Sequence, residues 1–194
     1  MKKFFATLLA LVLSALPLAR AEGLSGESAL RQICEMHNMY IEEYVGPEIA
    51  AIFALDVDDF TLEEGAYTWK NEKNLVNYCF IMDLKEVGVQ EIRLTSSDAM
   101  SMAGSTLSLF CILPLCLGDT GYAAAIQLDQ LAQDICERTS MNGESCTGSV
   151  EDNESVTIHI ESEFADGAES YVITAVFAEP VTAESLLRLA LIGS

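Results

Sequence analysis

The sequence is short of positive charge. Its 194 residues include 10 lysines and arginines against 30 aspartates and glutamates, which gives a formal net charge of −20. Nucleic acids and anionic lipids bind through basic side chains, so a strongly acidic surface disfavours both and favours solubility, cations or a basic partner. We therefore expect the partner to be a protein, peptide or envelope component and not a nucleic acid. If charge governs the binding, the partner is basic.

Groups that perform acid–base or metal chemistry are also few, since the chain has two histidines, His37 and His159, in separate segments. Zinc needs about four nitrogen or sulfur ligands close together. The stretch NGESCTGS, which contains Ser145, is one residue too long for a nucleophile elbow and precedes a strand, where the motif requires a helix. We interpret this stretch as a polar loop, and we predict no catalytic residue, no cofactor and no metal ligand from these patterns.

Carboxylates are abundant, but their spacing matches no binding loop. An EF-hand that began at Asp56 would need Gly and Glu at its sixth and twelfth positions, where the chain has Thr61 and Tyr67. Calcium is thus a candidate partner through charge alone, without a motif. A chain with this many acids also produces pairs of carboxylates by chance, so such pairs do not indicate glycoside hydrolysis.

The N-terminus has the layout of a Sec signal peptide. Lys2 and Lys3 precede an apolar stretch that is too short to span a bilayer, and residues 19–21 (Ala-Arg-Ala) form a small-x-small cleavage site. We predict cleavage after residue 21 and a secreted or extracytoplasmic mature domain, 22–194. No cysteine lies at the site or just after it, so a lipid anchor is not expected, and membrane attachment is disfavoured after cleavage.

Hydrophobic periodicity predicts an α+β fold in which helices pack on a mainly antiparallel sheet. Apolar spacings of three and four indicate a helix over 28–45, with a stripe that includes Leu30, His37 and Tyr44, and a second helix over 121–138. A short helix over 183–192 could cover a sheet edge or dock elsewhere. Alternation predicts three strands between residues 59 and 95, and two more that flank Asp166-Gly167, a strong hairpin signal.

The order helix-then-strands occurs twice, over 28–96 and 97–178. A shift of 80 residues places the strand around Tyr78 on the strand around Ile158, although almost no residues are identical between them. The sequence thus suggests one domain that could be a degenerate duplication of a helix-plus-strands unit.

Six cysteines in an exported chain indicate disulfides first. The candidate pairs are Cys136 with Cys146 across a turn, Cys34 with Cys79 across the helix–sheet layer, and Cys111 with Cys116. The four-residue spacing of the last pair is unlike a redox-active motif, and its apolar neighbours raise a thiol pKa.

Charge is absent over 99–118, a length that could cross a bilayer. Polar serines, a proline at 114 and acidic flanks favour instead a buried helix that ends near Leu113. On that helix Ala103, Leu107 and Phe110 would form one stripe, and a second stripe would consist of the small residues Ser101, Gly104, Ser105, Ser108 and Cys111. The segment could therefore pack closely against a neighbouring helix.

These patterns favour an exported, non-enzymatic binding domain that uses an acidic face or a sheet edge. Two alternatives stay open: a secreted hydrolase whose site is assembled only in the fold, and a protein associated with membranes through 99–118. A deep pocket that gathers a histidine with Ser145 or with two carboxylates would favour the hydrolase.

Overall fold

The computed structural model describes residues 26–83, 87–150 and 154–192. The predicted signal peptide lies outside these residues. The helices are α1 (Gly26–Val45), α2 (Pro47–Phe53), α3 (Ala99–Leu117), α4 (Asp119–Asn142) and α5 (Ala183–Ile192), with a 3₁₀ turn at Val57–Asp59. The strands are β1 (Thr61–Glu63), β2 (Ala66–Asn71), β3 (Val76–Asp83), β4 (Gly88–Ser96), β5 (Cys146–Val150), β6 (Val156–Ala165) and β7 (Ala168–Val181).

The seven strands form one antiparallel sheet in the order β1-β2-β3-β4-β7-β6-β5. One face carries the helices, with α1 against β3 and β4 and α4 against β5 and β6. On the other face the side chains of the described strands are exposed or half-buried, as in the alternating burial along β6. The predicted two-layer α+β class is therefore confirmed.

The inner face of the sheet provides most of the core. Its largest fully buried side chains include Tyr78 and Phe80 of β3 and Tyr171 and Phe177 of β7. The stripe predicted on the first helix is confirmed from Leu30 to Ile41. Its last member, Tyr44, is instead 62% exposed. The hairpin turn is also confirmed: Asp166 and Gly167 both have positive φ, as a two-residue turn of type I′ requires.

Helix α3 is a core helix. Asp98 caps its first turn by accepting from the backbone N–H of Ser101 at 2.7 Å. Among the described helices α3 alone is long and apolar enough to cross a membrane, yet 67% of that window is buried within the domain. The predicted end near Leu113 is wrong, because the helix continues through Pro114 to Leu117. Burial of Leu115 and Cys116 offsets the hydrogen bond that the proline removes.

Two further predictions need correction. The first sheet region forms four strands rather than three, since β1 pairs with β2 as a short edge strand. The segment after α4 was expected to be a polar loop, but Cys146–Val150 forms edge strand β5 against β6. The C-terminal helix has the predicted bounds, and it packs on α1 and α3 rather than over a sheet edge.

The predicted disulfides are wrong: all six cysteines are free. Cys34 lies in the core under α1, whereas Cys79 alternates with buried Tyr78 and Phe80 and so points to the opposite face of the sheet. Helix α4 continues for six residues beyond Cys136 to Asn142, about 9 Å of helix, which carries it away from Cys146.

Cys111 and Cys116 are also separated by their own helix. Five residues along an unbroken α-helix correspond to about 7.5 Å of rise and a large rotation, so the two side chains point in different directions. Cys111 packs with Ile41 and Ala50, whereas Cys116 belongs to the main core. Burial raises the pKa of both thiols, and that of Cys34, to about 12. These thiols are therefore small core side chains.

The strand order is relevant to the suggested duplication of 28–96 and 97–178. The last strands of the two halves, β4 and β7, pair at the centre, and the remaining strands follow outward in mirrored order. Val76, Tyr78 and Phe80, and their counterparts 80 residues later, all point into the core. This arrangement is compatible with a duplicated unit, which stays a prediction.

Candidate functional site

Neither histidine lines any of the three depressions described below. His37 is fully buried on α1, where its Nδ1 lies 3.2 Å from Asn38 Oδ1. Its Nε2 is the only buried side-chain nitrogen or oxygen among the described residues that makes no hydrogen bond. Burial lowers the pKa of the ring to about 4, so the imidazole is neutral at physiological pH. His37 is thus a core side chain without a reaction partner.

His159 lies on the exposed face of β6, opposite Ser149 of β5. Ser145 lies just before β5, where its hydroxyl accepts from the backbone N–H of Phe164. Four residues of strand, about 13 Å, separate Ser145 from the residue that faces His159. The fold therefore does not bring together the serine and histidine that a hydrolase would need.

No group of three or more His, Cys, Asp or Glu side chains within the described ranges could hold a metal ion. The depression on the uncovered face of the sheet, about 510 Å³, is lined by Thr68, Lys70 and Cys79 among others, and it is open. A smaller one of about 270 Å³ lies beside Gly26 and Tyr67. Neither contains a histidine or a pair of carboxylates.

A third, largely apolar depression is a groove on the outer side of the helical layer, between α3 and α4, with a volume of about 460 Å³. We call it the α3–α4 groove. The described residues that line it are Tyr44, Ala99, Met102, Ala103, Thr106, Leu107, Phe110, Asp129, Ala132, Gln133 and Cys136. Asp129 is the only charged residue among them.

The groove follows the helix axes. Its α3 side extends from Ala99 to Phe110, twelve residues that span about 16 Å. The solvent-facing strip of α3 is uncharged throughout, with Ala103 exposed and Leu107 and Phe110 half-buried. Helices usually place charged residues on their solvent side. The strip is thus an uncharged helix face that the described domain covers only in part, since Leu107 packs on the cluster of α1 and α2 and the Phe110 ring contacts Tyr44.

Aromatic side chains form one end of the groove. The ring centroid of Phe110 lies 5.8 Å from that of Tyr44 and 5.9 Å from that of Tyr122, in tilted and edge-on contacts. Tyr44 and Tyr122 are 62% and 48% exposed, and Ile126, one turn along α4 from Tyr122, is 39% exposed. Exposed aromatic and aliphatic groups of this kind are typical of protein-binding surfaces.

The other end is polar and centres on Glu169 of β7. One carboxylate oxygen accepts from the backbone N–H of Ala99, at the start of α3, at 2.9 Å. The other accepts from Ser140 Oγ of α4 at 2.6 Å and from the Tyr171 hydroxyl at 2.9 Å. Glu169 therefore connects α3, α4 and the sheet, and Cys136, which lines the groove, is hydrogen-bonded to Tyr171.

The chemistry of this polar end favours a structural role. The hydrogen bond from Ser140, with those from Tyr171 and Ala99, holds the pKa of Glu169 below its usual value, which makes it a weak base. Burial raises the pKa of the Cys136 thiol, so the thiolate that a nucleophile requires is disfavoured. The groove therefore provides apolar contact area and no activated group.

Replacing Glu169 by glutamine is expected to lower the free energy of unfolding by about 1–2 kcal/mol, because the amide nitrogen cannot accept the hydrogen bonds of Ser140 and Tyr171. The exposed Glu163→Gln provides the control, and urea denaturation at pH 7 measures both. Because folding lowers the pKa of Glu169, its contribution is complete above the pKa of the unfolded chain and disappears as the pH falls through the lowered value. An equal loss in the two variants would contradict the assignment.

The sequence predicted an uncharged helix that packs closely on a neighbour, and it did not predict a groove. The stripe of small residues from Ser101 to Cys111 is buried, whereas the outer side of the second stripe, which contains Ala103, is open. The contribution of α4 was missed, because Asp129 and Gln133 look like ordinary surface residues until α4 is placed antiparallel to α3. Glu169 lies 70 residues from Ala99, and no local pattern indicates their contact.

The edges of the sheet are less suited to binding a partner than the α3–α4 groove. Strand addition needs a long unpaired edge, but β1 has three residues and β5 has five. The uncovered face of the sheet is a mixture of threonine, valine and charged side chains, with the row Cys79, Arg93, Thr174 and His159 across it.

Comparisons with protein-family models, curated proteins and solved structures found no match for the chain.

Proposed function

We propose that the chain is an exported, non-enzymatic domain that binds a protein or peptide partner in the α3–α4 groove. The observation that carries the proposal is the uncharged outer strip of α3, which is half open to solvent in an otherwise highly acidic chain. A partner that covers its apolar residues removes them from water, which lowers the free energy of the system.

The shape and composition of the groove also support binding of a polypeptide. It is about three helical turns long, apolar along its floor, and bordered by tyrosines, which are common at interface centres. Helical layers commonly receive a partner helix in such a groove.

The variant Ala103→Lys tests this proposal, with Ala123→Lys as the matched control. Both alanines are exposed within helices, and both substitutions add one positive charge, but only Ala103 lines the groove. Peptides are first selected from a random displayed library on the wild-type protein, and their affinities for all three proteins are then measured by calorimetry.

We expect the selected peptides to bind the wild type and Ala123→Lys equally and Ala103→Lys at least tenfold more weakly, because the lysine fills the groove and would have to be desolvated. If no peptide is enriched, or if the enriched peptides bind Ala103→Lys as tightly as the wild type, the proposal is wrong.

A further inference from the structure

We propose that the occupant of the α3–α4 groove is a cationic amphipathic helix of about three turns, supplied by another protein. This inference rests on the function proposed above and specifies the chemistry of the partner. It combines the geometry of the groove with the charges around it.

The geometry favours a helix over an extended peptide. The groove lies parallel to two antiparallel helices over about 16 Å, which an α-helix covers in about eleven residues. A helix that packs there presents apolar side chains at spacings of three, four and seven, and these can enter the spaces beside Ala103 and Ala132. An extended peptide would leave its backbone hydrogen bonds unpaired against an apolar floor.

The charged residues that the structure places in or beside the groove are acidic. Asp129 lies in the lining, and Glu43 lies close to Tyr40 and Tyr44 at the aromatic end. At the polar end Asp98, the N-cap of α3, lies close to Glu169. None of the described lining residues is basic.

The one basic residue of α4 does not offset this charge. The guanidinium of Arg138 is within 3.3 Å of Glu144 and 3.8 Å of Asp134, so two carboxylates already engage it. Flanking lysines or arginines of a partner could therefore pair with Asp129 in the lining and with Glu43 and Asp98 near the two ends. A second copy of this chain, itself at −20, or an anionic lipid surface would be repelled.

Three synthetic peptides of 14 residues, acetylated and amidated, test the inference. The first places leucines at three-, four- and seven-residue spacings, lysines on the flanks and alanines elsewhere. The second replaces each lysine by glutamate, and the third has the composition of the first in a scrambled order that destroys the apolar face. Affinities are measured at about 0.15 M salt, where long-range attraction between exposed charges is screened.

Two glutamines provide the matched protein variants. Gln133 lines the groove beside Asp129, whereas Gln130 is exposed on the same helix outside it. Gln133→Lys and Gln130→Lys change the net charge equally. We expect the first peptide to bind at least tenfold more tightly than the other two, and Gln133→Lys to weaken it about fivefold more than Gln130→Lys does.

Equal binding of the scrambled or glutamate peptide, or equal effects of the two lysine variants, would overturn the inference. The library experiment separates this failure from that of the proposed function. If selected peptides lose affinity for Ala103→Lys but are neutral, acidic or extended, the groove is a binding site and only its occupant is misassigned. If Ala103→Lys has no effect on any peptide, both proposals fail.

Discussion

Replacement of Gly121 by alanine is expected to lower the free energy of unfolding by about 3 kcal/mol. Gly121 lies in the first turn of α4, against the end of α3, and a Cβ atom there would lie 2.0 Å from the carbonyl oxygen of Leu113 and 2.5 Å from its carbon. The obstacle is backbone, so no side-chain rotation can relieve it. The helices would have to separate at the corner that positions the groove.

A decrease in the free energy of unfolding is informative here, because a change from glycine to alanine normally stabilises a helix by about 1 kcal/mol. The control is the reverse change at an exposed position of the same helix, Ala123→Gly, which should cost about that amount. Chemical denaturation of the two variants and the wild type provides the comparison. A Gly121→Ala protein as stable as the wild type would show that the α3–α4 corner is not packed as described.

Replacement of His37 by leucine is expected to make the domain markedly more resistant to acid. Folding lowers the pKa of His37 from 6.5 to about 4, because burial disfavours the imidazolium. The wild-type contribution of the neutral ring is therefore complete above about pH 6.5 and is lost progressively as the pH falls toward the lowered pKa. Linkage gives a loss of about 2 kcal/mol between pH 7.5 and pH 5.

In the leucine variant this loss is absent, and at pH 7.5 its stability should be close to that of the wild type, since the unpaired Nε2 is removed as well. Urea denaturation at pH 7.5 and pH 5 of wild type, His37→Leu and the exposed His159→Leu measures the effect. The wild type and His159→Leu should lose about 2 kcal/mol more than His37→Leu. A parallel pH dependence in all three would mean that His37 is not buried in the neutral form.

The parts of the fold that local periodicity determines were predictable. The stripe on α1 includes a histidine, and the structure buries that histidine with its apolar neighbours. The hairpin at Asp166-Gly167 was predictable because a two-residue turn with positive φ at both positions favours this pair. In both cases the residues that decide the structure lie within one or two turns of one another.

The pairing of the cysteines could not be predicted from local patterns. Their pairing depends on which face of the sheet Cys79 occupies relative to α1 and on how far α4 continues beyond Cys136. Composition and compartment predicted disulfides, but the tertiary positions separate every pair. The same limit applies to the groove, since the apolar strip of α3 is visible in the sequence and the α4 side is not.

The central claim is that the open apolar side of α3 is the binding surface, and methionine methyl NMR tests it most directly. Met102 lines the groove and Met100, on the same helix, is 87% exposed, whereas Met82 is buried beside Gly26, remote from α3's outer strip. With ¹³C-methyl methionine, titration of the full domain with a library-selected peptide should shift the Met102 signal, and Met82 should stay unchanged. A saturating peptide that shifts Met82 and leaves Met102 unchanged would contradict the account.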